Sequence, residues 1–278
     1  MSSVPPKVKL QTLHKSDDAA AAPSGSATSS AYIRPRDAAS LIIIDRSVSE
    51  PRILMGRRNR AMHFMPDKFV FPGGGTDAQD GKIIAANQLR PQDEAKLLAG
   101  MGSRANTRRA RALAMTAIRE TYEETGLLLG TPALPAEPVR PKRPDQQTPD
   151  SFTHPWHGFA QSNQLPDLSR LRYVARAVTP TGFVRRYDAR FFASFLDEIS
   201  PIDGTGHINT ESSLYNEPEL TDLQFVSFAE AFNLNIADIT RIILQDIQKL
   251  LLKDMSLSSI YPVPLYHKRH GRHVREVI

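Results

Sequence analysis

The stretch Arg119-Glu120-Thr121-Tyr122-Glu123-Glu124-Thr125-Gly126-Leu127 decides how the rest of the chain is read. It closes a run, residues 104–125, that holds no Gly or Pro and repeats Ala110, Leu113, Ala114, Ala117 and Thr121 at i, i+3 and i+4, the period of an amphipathic helix. Gly126 supplies the stop. At about 100° per residue, Glu120, Glu123 and Glu124 fall within roughly 100° of one another, beside the apolar stripe. A run of acids is most often a solvated helix face. Here it lies at the C-terminal end, where the macrodipole disfavours negative charge by ~0.3–1 kcal/mol per group. Three crowded carboxylates repel unless a cation neutralises them, and hard divalent ions prefer oxygen ligands.

Upstream lies a second signal. Residues 39–45 and 52–57 are short aliphatic runs separated by a polar turn, which predicts a β-hairpin. Phe69-Val70-Phe71 is a third run, stopped by Pro72-Gly73-Gly74-Gly75. Glycines directly after a strand mark a tight turn where backbone can approach a ligand closely. Downstream, 172–178, 187–196 and 223–228 are strand-like, and 236–253 is a second helix with Ile239, Ile242, Ile243, Ile247, Leu250 and Leu251 on its stripe. The order strands, helix, strands, helix predicts an α+β or α/β fold rather than repeated βαβ units.

Together these motifs resemble the box of the Nudix hydrolases, G-x5-E-x7-R-E-U-x-E-E-x-G-U with U aliphatic or aromatic. Its second half matches at Arg119, Glu120, Glu123, Glu124, Gly126 and Leu127, with Thr121 at an aliphatic position. Its first half matches at Gly74, with Asp80 where the family has Glu. Between the halves stand 38 residues, 81–118, in place of seven. A box split in this way, with Pro180 and Arg186-Tyr187-Asp188-Ala189-Arg190-Phe191-Phe192, resembles the branch that includes peroxisomal coenzyme A diphosphatases. The resemblance spans about 37–250. It implies an α/β/α sandwich with a mixed sheet and an insertion between the two halves of the box. It also implies Mg²⁺ or Mn²⁺ held by Glu120, Glu123, Glu124 and a turn carbonyl at Gly73 or Gly74. The catalytic set would be Glu124, Glu123, Arg119, which fixes the cluster, and a base from the loop before the last strand, Glu219 or next Glu217, with Glu211 nearby. The implied reaction is hydrolysis of a diphosphate in a nucleoside diphosphate linked to another moiety, coenzyme A or acyl-CoA first. NADH, ADP-ribose or a capped RNA end is the second reading, and a ligand-binding regulator without catalysis the third.

Expected substrate contacts are Arg57 and Arg58, whose geometry suits phosphate, and Arg190. On a strand Arg190 shares a face with Asp188 and Phe192, where it either pairs with Asp188 or meets substrate. Met65 and Asp67 stand near places where coenzyme A enzymes of the family tend to carry His and Gly.

Composition narrows the rest. Of 278 residues, 40% are hydrophobic and 23% charged, which excludes disorder throughout. Zero cysteines exclude disulfides, thiol catalysis and Cys-ligated zinc, leaving oxygen or imidazole to hold any metal. No aliphatic run approaches the ~20 residues of a membrane span, and the N-terminus lacks a hydrophobic signal region, so a cytoplasmic protein is expected. Residues 1–30, rich in Ala, Ser and Pro, predict a disordered tail. Residues 31–265 form the expected catalytic domain, with an insertion at 81–103 and a Pro-rich loop at 131–170. Residues 266–278 carry four bases against one acid and predict a basic tail. The net charge of +5 falls to +2 without that tail, so nucleic acid is disfavoured as a partner. His267, His270 and His273 lie among Lys268, Arg269 and Arg272 and make a poor metal site. A nucleotide-type small molecule is the expected partner, with homodimerisation left open.

Overall fold

The computed structural model describes residues 33–62, 64–133, 155–199, 218–269 and 272–278. Its centre is β1 (Arg36–Asp45). Ala39, Leu41 and Ile43 face one core, Ile42 and Ile44 the other, and all five are fully buried. Burial on both faces is why this stretch reads as a continuous aliphatic run rather than an alternating one. One edge of β1 is filled by β8 (Tyr187–Phe195), parallel from Arg36↔Tyr187 to Ile44↔Phe195. The other edge is shared: β2 (Arg52–Arg58) pairs antiparallel at Ile44↔Ile53, while β4 (Gly73–Gly75) pairs at Ala38–Ser40. β3 (Phe69–Val70) pairs with β2, and β7 (Arg172–Val178) pairs with β8 on the side away from β1. β9 (Leu220–Ser227) also pairs with β2. The hairpin anticipated at 39–57 and the strands anticipated at 172–178, 187–196 and 223–228 are all present, within a few residues.

Helices cover both faces. On one lie α1 (Pro91–Met101), α2 (Thr107–Thr125) and the short α3 (Trp156–Gln161), contributing Leu97, Leu113, Ala117, Trp156 and Phe159 to one cluster. On the other lie α4 (Phe228–Asn233) and α5 (Asp238–Lys253), contributing Phe228, Ile243 and Ile247 to the second. The result is the expected α/β/α sandwich around a mixed sheet. Asn106 caps α2 through its side chain on the Arg108 amide, 2.8 Å, so the helix starts three residues later than its composition suggests. Gly126 ends it in the left-handed conformation, φ +74°, with its N–H on the Tyr122 carbonyl. Among the described residues no helix is long and apolar enough to cross a membrane.

Two expectations are corrected, and the 81–103 segment, whose role the sequence left open, takes a place in the core. Residues 266–278 are no tail: β10 (Pro264–Arg269) pairs parallel with β7 and carries β11 (Arg272–Val277) as its hairpin partner. The hairpin is held by apolar burial of Tyr266 and by Asp246 of α5, which accepts from the Tyr266 hydroxyl and pairs with Arg275 at 3.1 Å. High charge content concealed its period-2 pattern. The sheet therefore extends past 265. Next, the 81–103 insertion is core: Leu89, Leu97 and Met101 are buried, and fully buried Asp93 holds Arg90 at 2.7 Å and the Tyr173 amide at 3.0 Å. Lastly, the described parts of the Pro-rich stretch are ordered structure, β5 (Gly130–Pro132) paired with β6 (Gln164–Pro166) and α3 between them. The expected tail at 1–30, and 134–154 of the Pro-rich stretch, lie outside the described residues.

Candidate active site

The last two turns of α2 lie over the fork where β2 and β4 diverge from β1. Arg119, 6% exposed, sits at the centre of the polar groups. Its Nε and Nη2 grip Asp80 at 2.8 and 3.1 Å, Nη2 also donates to the Gly75 carbonyl at 2.8 Å, and Nη1 lies 2.7 Å from Glu123 and 2.9 Å from Glu120. Bidentate guanidinium–carboxylate pairing fixes orientation as well as charge. Glu124 points elsewhere, accepting the Gly73 N–H at 2.9 Å with Oε2, while its other oxygen, Oε1, is buried without a hydrogen-bond partner.

Gly73 is required by the close approach of β1 backbone, and Gly74 leaves the room that the Glu120 carboxyl occupies. A Cβ on Gly74 would lie 2.5 Å from the Glu120 carboxyl carbon, and one on Gly73 would lie 2.3 Å from Ser40 Oγ. The turn thus presses against the helix, as the Gly-rich sequence predicted.

Electrostatics follow from the crowding. Burial pushes the Glu120 carboxyl up to about 7, with Glu123 and Glu219 adding to the rise and Arg119 opposing it. Burial, then Glu120 and Glu219, raise Glu124 well above the usual carboxylate range against the pull of the Gly73 amide and Arg58. Burial works against the charge on Arg119, but Asp80 and Glu120 hold it protonated. Among the described residues no three His, Asp or Glu side chains form a ready-made cation cage, since Glu120 and Glu123 share Arg119. The donor set nonetheless suits a hard divalent ion: it is all oxygen, excess negative charge remains, and Glu124 Oε1 lacks a partner.

The other expected residues divide. Glu219 is close enough to raise both Glu120 and Glu124, and stands 3.6 Å from Arg58. Arg58 is half-buried on the α2 side of the sheet. Arg57 points to the opposite face, bound by Asp222 and lying 3.5 Å from Asp67, as neighbours on one strand must. Arg190 is not brought to the site. It is 1% exposed, beneath α2, 2.9 Å from Asp37 and 3.1 Å from Asp188, the structural pairing that its spacing from Asp188 allowed. Arg109 joins the same network on Asp37 at 2.6 Å. Glu211 and Glu217 lie outside the described residues. Two residues went unread: the role of Asp80 as holder of Arg119, for which its place six residues after Gly74 was the available signal, and Trp156, whose Nε1 donates to Asp80 at 3.3 Å and which no sequence signal marked.

No protein-family model matches the chain. The crystal structure of a Nudix hydrolase from Alicyclobacillus acidocaldarius matches it with a TM-score of 0.55 at 23% identity, over 82% of this chain and 97% of that one. The fold is the Nudix fold. A curated Caenorhabditis elegans protein with the provisional name nudix hydrolase 7 is 25% identical over 181 residues, 65% of this chain and 50% of that protein. The chain therefore spans about half the length of the curated relative that it matches. Within this fold the 81–103 segment packs its helix α1 against α2 and β7, and Asp80 and Arg119, far apart in sequence, meet at 2.8 Å.

Proposed function

We propose that this chain is a Nudix hydrolase that cleaves the diphosphate of a nucleoside diphosphate linked to another moiety, with Mg²⁺ or Mn²⁺ as cofactor. One observation carries the reading: Glu120, Glu123 and Glu124 are gathered by Arg119 and the Gly73 amide at the mouth of the sheet fork, with a carboxylate oxygen left unpartnered. Glu120, Glu123 and Glu124 would hold the cation, with the Gly74 carbonyl the further donor. The cation would neutralise the diphosphate oxygens and acidify a water.

The chain's own residues do the rest. Arg119 opposes the rise in the Glu120 carboxyl and holds Glu120 and Glu123 in place. Arg58, whose Nη2 lies 3.6 Å from Glu219, would meet a phosphate oxygen. Glu219, exposed at the rim, accepts the proton as the water oxygen bonds to phosphorus and the bridging oxygen departs with the second phosphate, giving two monophosphates. Coenzyme A or acyl-CoA is the favoured substrate. Support comes from the resemblance of Pro180 and Arg186-Tyr187-Asp188-Ala189-Arg190-Phe191-Phe192 to the coenzyme A branch, while Met65 and Asp67, near places where that branch tends to carry His and Gly, depart from it.

A panel of coenzyme A, acyl-CoA, NADH, ADP-ribose and capped RNA, assayed with Mn²⁺ by phosphate detection after phosphatase treatment, tests this. Turnover of coenzyme A above the others is expected. Absence of turnover on every member, with Mn²⁺ bound, would overturn the hydrolase assignment.

A further inference from the structure

Asp80 is fully buried among donors from several parts of the chain. Besides the two bonds from Arg119, it accepts the Thr116 hydroxyl at 2.7 Å, the Asp77 amide at 2.9 Å and the Trp156 indole N–H at 3.3 Å. Thr116 is fully buried and Trp156 is 7% exposed, so water is poorly placed to replace a lost donor. The terminal torsion of a carboxylate is soft, and its orientation is therefore set by these donors. That orientation fixes the guanidinium, because Asp80 binds the Nε/Nη2 edge and leaves Nη1 for Glu120 and Glu123. Thr116 stands on α2 itself, one turn before Arg119. Trp156 comes from α3, a separate element, and is the chain's sole tryptophan.

Resting on the hydrolase reading above, we propose that Trp156 is a positioning residue for the glutamate cluster: its indole N–H, with the Thr116 hydroxyl, holds Asp80 so that Arg119 presents Nη1 to Glu120 and Glu123. A purely packing role would need only an aromatic ring against Phe159, whose centroid lies 5.3 Å away. Phenylalanine would serve that role.

Trp156→Phe removes the donor and keeps a ring. The expected result is Mn²⁺ binding weakened about 3- to 10-fold, read by the paramagnetic resonance of free Mn²⁺ without substrate, the lower end of what a hydrogen bond to a charged acceptor contributes, since the Thr116 and Asp77 donors remain. kcat should fall by a similar factor with KM unchanged. Asp80→Asn should weaken Mn²⁺ binding about 10- to 100-fold, as for residues that orient metal ligands, and Trp156→Phe should add little in that background, since both act through one carboxylate. Thr116→Val supplies the same cycle if Trp156→Phe does not fold by circular dichroism. Wild-type Mn²⁺ affinity and kcat in Trp156→Phe, or losses that multiply with those of Asp80→Asn, overturn the inference alone. A wild-type protein that neither binds Mn²⁺ nor cleaves any diphosphate overturns the hydrolase reading, and the inference with it.

Discussion

The raised carboxyl of Glu120 makes the metal-free protein's stability depend on pH in a calculable way. The group titrates at about 7 in the fold against an ordinary value of 4.5. With a carboxyl raised on folding, the unfolded chain ionises first, so stability from this group is fully present below 4.5 and is lost as pH rises toward 7, then stays level. At 1.36 kcal/mol per pH unit, the loss amounts to about 3 kcal/mol across that window. Glu120→Gln replaces the carboxyl with a neutral group of the same shape and should flatten this component. The assay is urea unfolding by circular dichroism at a series of pH values, for wild type and Glu120→Gln, with chelator and with saturating Mn²⁺. Wild type should lose its advantage over Glu120→Gln between pH 4.5 and 7 under chelator. With Mn²⁺ the trend should vanish or reverse, since the ion stabilises the ionised form. A difference that is constant in chelator, or that grows with pH, would refute the claim that Glu120 is held in a desolvated, charge-crowded place.

Glu124→Gln should reduce kcat at least about 100-fold, on the scale of a lost general-base or ligand function, with an unchanged circular dichroism spectrum; wild-type turnover would remove Glu124 from the site. Gly74→Ala should fold, because the flexible Glu120 carboxyl can move, yet bind Mn²⁺ about 10-fold more weakly; calorimetric titration checks it. Arg190→Ala should destabilise the fold by about 3–5 kcal/mol, as expected when one partner of a buried ion pair is removed, and leave KM of the folded fraction unchanged, which substrate-titrated rates will read.

What the sequence determined by itself was local. Helix α2, its glycine stop, the face on which Glu120, Glu123 and Glu124 converge, and the Gly73–Gly74 turn each arise within one element, where residue spacing maps directly onto geometry. The sandwich followed from the order of such elements. Tertiary structure decided which distant groups meet. Arg190 and Arg58 are equally basic in sequence, and only the strand pairing shows one buried between Asp37 and Asp188 and the other facing the glutamates. The 266–278 hairpin needed β7 and Asp246 to become a strand pair. Asp80, the α2 pair Thr116 and Arg119, and Trp156 are drawn from three separate stretches of chain, and their meeting depends on packing α2 and α3 onto one face of the sheet. A hydrogen bond across 76 residues leaves no periodicity in sequence, because it is set by the fold that brings its ends together.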